Sequence, residues 1–95
     1  MKIKTATVGE IVQSTQGRDK GNFYLIVAIE GETIYVVDGR KRQLTTPKKK
    51  NVKHVALLPY FYPDIIERIA QGKNEDTQIQ IAIQSVIASR QNKNL

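Results

Sequence analysis

The chain has no cysteine, a single histidine and only six aromatic residues among its 95. The missing thiols exclude disulfides and thiolate metal sites and fit a reducing compartment. No segment approaches the roughly 20 consecutive apolar residues of a membrane span. Met1-Lys2-Ile3-Lys4 is not followed by an apolar run, so a signal peptide is not expected. A cytoplasmic location without a membrane partner is the resulting expectation. Ninety-five residues allow one domain with a modest core and little room for a deep cleft.

Acidic charge is also scarce, and its scarcity is local. Residues 1–58 hold eleven Lys and Arg, including Lys2 and Lys4, against five Asp and Glu. Residues 59–95 balance four against four, so the whole net charge of +6 lies in the first part. Such asymmetry points to one face for a polyanion rather than to general solubility.

The first part reads as β structure. Val8 to Ser14 is a short strand, and Phe23 to Ile29 is apolar on both faces, as in a strand covered on both sides. Glu30-Gly31-Glu32 is a turn, and Thr33 to Val37 is rich in β-branched residues. Asp38-Gly39 then signals a tight type I′ hairpin, with Arg40 to Leu44 returning antiparallel. Thr45 to Asn51 is expected as a loop and Val52 to Leu58 as a last strand. Four or five short strands with tight turns suggest a small barrel. After Pro59 the period becomes helical. Pro63-Asp64 opens one helix that Gly72 ends, and Asn74-Glu75-Asp76 caps a second carrying Ile79, Ala82, Ile83, Val86 and Ile87. Residues 91–95 are expected to fray. There is no internal repeat.

Two basic regions carry the chemistry. In Gly17-Arg18-Asp19-Lys20-Gly21, the glycines allow a tight loop on which Arg18 and Lys20 stand as cations, with Asp19 neutralising one neighbour. Arg40, Lys41, Arg42, Lys48, Lys49, Lys50 and Lys53 put seven cations into fourteen residues with no acid among them. Such groups grip phosphates and fix register on a nucleic acid. The lysine triplet, as loop charge, is expected to contribute little to the core. His54 has no evident serine or carboxylate partner, so a phosphate or backbone contact suits it better than catalysis. No spacing supports a metal site or a cofactor, and no enzymatic role is expected. Phe23, Tyr24, Tyr35 and Tyr60-Phe61-Tyr62 read as core and as glue between sheet and helices rather than as a stacking platform. The isoleucine-rich helices have two uses: packing within the molecule, or a protein partner or self-association through residues 63–95.

Val8-Gly9-Glu10-Ile11-Val12 followed by Gly17-Arg18-Asp19-Lys20-Gly21-Asn22-Phe23 resembles the KOW motif. Asp38-Gly39 and Pro47-Lys48-Lys49-Lys50-Asn51-Val52-Lys53-His54-Val55 continue the likeness. Over residues 5–58 the chain resembles KOW-motif proteins, above all the large-subunit ribosomal proteins of the fourteen-e type in archaea and eukaryotes and their bacterial look-alikes. Tyr24 stands where the general motif has a glycine, which argues against a NusG-type elongation factor. The resemblance implies an SH3-like five-stranded barrel over residues 1–58, and the helical period of 59–95, which matches no named family, adds a C-terminal helical hairpin. It implies non-catalytic binding of ribosomal or other structured RNA and association with the ribosome in translation. Gly17, Arg18, Lys20, Gly21, Asn22, the basic residues from Arg40 to Lys53, and His54 would form the RNA surface. The alternative is an SH3-like adaptor that recruits a protein through its helices.

Overall fold

A computed structural model describes residues 5–91. Lys2, Lys4 and residues 92–95 lie outside the described residues. The elements are β1 (Glu10–Ser14), β2 (Phe23–Glu30), β3 (Thr33–Val37) and β4 (Lys48–Asn51). A 3₁₀ turn (Val52–His54), β5 (Val55–Phe61), α1 (Pro63–Ala70) and α2 (Asp76–Gln91) follow. The five strands form one antiparallel sheet in the order β4-β3-β2-β1-β5. Successive strands pair until β4, and β5 returns to pair with β1. β4 and β5 are therefore the two edges. The sheet is open, where a closed barrel was the expectation.

Both faces of the sheet are covered, as the two-sided apolar pattern of β2 requires. Along β1, β2 and β3, Ile11 pairs with Leu25 and Leu25 with Val37, one buried row facing the helices. With Leu58 that row packs on Ile65 of α1 and on Ile79, Ala82, Ile83 and Val86 of α2. The opposite face gathers Val12, Tyr24, Ile26, Ile34 and Val36 into a second cluster closed by Val52, Val55 and Leu57. Among the described residues, Ala6 ahead of β1 and the 3₁₀ turn at Val52 also pack on that cluster, and no α-helix covers it. Register shifts between Glu10 and Val12 and between Ile26 and Ala28 supply local bending. Burying each large aliphatic side chain contributes about 1.5–3 kcal/mol, so the helices are part of the core that stabilises the sheet. β5 also crosses residue 58, the expected end of the first unit.

The helix ends follow their local sequence. Pro63 opens α1 within its first turn. At the other end the Gly72 amide donates to the Ile69 carbonyl and the Lys73 amide to the Arg68 carbonyl, the paired bonds of a Schellman motif. Before α2, the Asn74 side chain accepts from the Asp76 amide. Glu75 is buried, and Arg68 of α1 donates to it across the turn.

Two expectations around Asp38-Gly39 are corrected. Arg40 to Leu44 forms no strand, and the Lys48-Lys49-Lys50-Asn51 segment expected as loop is β4. Asp38 explains the first. Its Oδ1 accepts from the amides of Arg40 (2.8 Å) and Arg42 (3.0 Å), while the Asp38 and Gly39 amides donate to the Arg42 carbonyl. Those bonds fold the chain into a compact loop instead of a two-residue hairpin. Helix α2 then holds the loop in place. Asp76 Oδ1 accepts from the Leu44 amide at 3.0 Å, and Gln80 Nε2 donates to the Gly39 carbonyl at 2.7 Å. Gly39, at φ +80°, sits so close that a Cβ there would collide with the Asp76 carbonyl.

Candidate nucleic-acid interface

Gly17 and Gly21 both have positive φ, +93° and +95°, as a tight loop between two strands demands. The loop closes on itself: the Lys20 amide donates to the Gly17 carbonyl, and the Gly21 amide to the Ser14 carbonyl. Arg18 and Lys20 point to solvent, and Asp19 between them turns inward. Sequence reasoning gave Asp19 only the role of neutralising a neighbour. Its actual role is architectural.

The Asp19 carboxylate is the centre of a buried polar cluster. Oδ1 accepts from Ser14 Oγ at 2.8 Å and from Lys50 Nζ at 3.0 Å. Oδ2 accepts from the Tyr24 hydroxyl at 2.8 Å and meets Lys48 Nζ at 3.0 Å. The β3–β4 register brings the two lysines there. Lys48 lies opposite Val36 and Lys50 opposite Ile34, so both share the inner face with those core residues. The cluster joins the loop after β1 to the free edge at β4. Side chains thus link parts of the open sheet that no backbone ladder connects.

Ionisation follows from these contacts. Burial disfavours the charge on Asp19, but the hydrogen bonds from Lys48, Ser14, Tyr24 and Lys50 outweigh it and hold the carboxyl well below its ordinary range. Burial, aided by the bond to Asp19, pushes the Tyr24 phenol up to about 12. Burial also raises Glu10, partly offset by a hydrogen bond from the Thr7 amide.

This cluster redraws the expected phosphate surface. The Lys50 side chain is only 8% exposed and fully engaged, so it is withdrawn from the candidate contacts, and Lys48 is largely committed to Asp19. Nor is the triplet loop charge without weight in the fold, as first expected. Lys49 projects from the opposite side of β4, with Nζ 5.9 Å from the centroid of the Tyr35 ring. Lys53 stands 3.6 Å from Glu32 in an exposed pair. His54 is exposed, and its carbonyl accepts from the Thr15 amide, which sets the 3₁₀ turn beside the start of the glycine loop.

Five further cations lie on two neighbouring loops. Arg18, Lys20, Arg40, Lys41 and Arg42 are exposed, and none forms an ion pair among the described residues. Arg40 Nε donates to Gln80 Oε1 at 3.3 Å, which orients the guanidinium over α2. Between the loops lies a groove of about 450 Å³ that Gly21 and Asn22 enter from one side and Arg40 and Lys41 from the other. Its helical wall, Gln80, Ile83, Gln84 and Ile87, was not anticipated as part of a site. A signal existed in the alternation of glutamines and isoleucines at helical spacing, but both isoleucines read as core. Among the described residues no cluster of three or more His, Asp or Glu side chains is placed to hold a metal ion. No helix among them is long and apolar enough to cross a membrane.

No protein-family model and no curated protein matches this chain.

Proposed function

We propose that this chain is a non-catalytic RNA-binding protein. On this reading it uses the glycine loop and the Arg40–Arg42 loop to grip the phosphates of a structured RNA, such as ribosomal RNA. The observation that carries the reading is the pair of adjoining loops presenting Arg18, Lys20, Arg40, Lys41 and Arg42 without acidic partners among the described residues. Both loops are held rigidly, one by Asp19 and the other by α2, so their cations need little ordering when a ligand binds. A-form RNA presents phosphates and 2′-hydroxyls over a shape that rigid cations can match, which favours contact with modest sequence preference.

The KOW resemblance agrees with this reading, since it implies an RNA surface at the same glycine loop. An SH3-like barrel is the finer reading of the fold. A meander of four strands whose fifth returns to the first, curled around its own apolar interior, supports it. The helices turn their main apolar face to the sheet, which weighs against an adaptor that recruits a protein through that face.

Fluorescence anisotropy with a labelled RNA hairpin over a range of KCl concentrations tests the proposal. Five engaged cations give a slope of log affinity against log salt of about −4. Affinity independent of salt, or no binding at all, would contradict it.

A further inference from the structure

The groove between the two basic loops holds more than cations. One wall is apolar: the half-buried Phe23 ring with Ile83 and Ile87 of α2. Gln84 adds an exposed amide head with donors and an acceptor. The charge at the mouth is mixed. Arg40 and Lys41 stand beside Asp38, whose Oδ1 already serves two loop amides and whose Oδ2 has no partner among the described residues. At Gly21 the space a Cβ would occupy holds no atom within 4 Å, so a ligand can approach the backbone there.

This combination selects among anions. A carboxylate-rich peptide would satisfy Arg40 and Lys41 but would offer its carboxylates no donor for Asp38 Oδ2 and would leave the apolar wall unused. A nucleotide offers a phosphate for the cations, N–H groups for Asp38 Oδ2 and the Gln84 amide, and a flat face for Phe23. Bases paired within a helix cannot enter, because their faces are stacked and their edges are paired. We propose that the groove captures one unpaired base of an RNA whose neighbouring phosphates lie on the Arg18–Lys20 and Arg40–Arg42 loops. This inference rests on the RNA-binding reading and narrows its ligand to a structured RNA carrying a bulged or looped-out nucleotide.

The test compares a fully paired RNA hairpin with the same hairpin carrying one bulged adenine, by anisotropy at fixed salt. The intact protein should bind the bulged form about tenfold more tightly. Phe23→Leu keeps apolar volume but removes the stacking face, and Gln84→Ala alters only an exposed helix position. Both should reduce the preference to threefold or less while affinity for the paired hairpin stays the same. Equal affinity of the intact protein for the two hairpins would overturn base capture and leave the phosphate reading standing. A preference unchanged in both variants would also overturn it. Binding to neither hairpin, or binding only to a polyglutamate peptide, would overturn both readings.

Discussion

Arg40-Lys41-Arg42 and Lys48-Lys49-Lys50 are two runs of three cations, five residues apart, with opposite fates. The first stands on a loop in solvent, its backbone gathered around Asp38 and its flank pinned to α2. The second lies in an edge strand whose alternation sends Lys48 and Lys50 inward to Asp19 and leaves Lys49 outside. Basic composition is the same in both. What separates them is the pairing register and the presence of one buried carboxylate. A run of cations is therefore open to a ligand only where no internal partner has claimed it.

The largest way to break the comparison is to remove that partner. Asp19→Ala leaves Lys50 buried without its counter-charge and should cost about 3–5 kcal/mol in equilibrium urea unfolding. A loss below about 1 kcal/mol would show that the cluster is ornamental. The same carboxylate sets the acid limit. Its pKa is lowered by folding from 3.8, so its contribution is complete above about pH 4 and drains away as pH falls toward the folded value. Thermal melts should therefore steepen their decline below pH 4, and the steepening should be weaker in Asp19→Ala. Tyr24 titrates in the opposite sense. Its contribution is complete below 10 and is lost as pH rises toward about 12. Tyr24→Phe removes one of four bonds to Asp19 and should cost about 1 kcal/mol while flattening that alkaline loss. Lys53→Ala, which breaks only an exposed pair with Glu32, should change stability by less than about 1 kcal/mol.

The sequence discloses those parts of the molecule that local chemistry decides. β-branched Thr33–Val37 is β3 at the bounds expected for it, and Pro63 and Gly72 frame α1 as their backbone preferences require. The positive φ at Gly17 and Gly21 was legible for the same reason. What was not legible depends on partners distant in the chain. Lysines are poor strand formers, yet Lys48–Asn51 is a strand because it pairs with β3 and because Asp19, 31 residues before Lys50, receives its side chains. Asp38-Gly39 carries a strong hairpin signal that its side-chain bonds and the contact with Asp76 override. The candidate site divides along the same line. Arg18, Lys20 and Arg40–Arg42 were visible as exposed charge, whereas the helical wall of the groove required knowing that α2 packs against that loop.

The proposed RNA grip places the phosphates on the first of the two basic runs, and the salt dependence of affinity in Arg40→Gln/Lys41→Gln/Arg42→Gln tests that most directly. Substituting the exposed loop should leave the melting temperature unchanged within experimental error while making the log–log salt slope shallower by about 2–3, one for each lost phosphate contact. An unchanged slope in this folded variant would contradict the assignment of the phosphate grip to the Arg40–Arg42 loop.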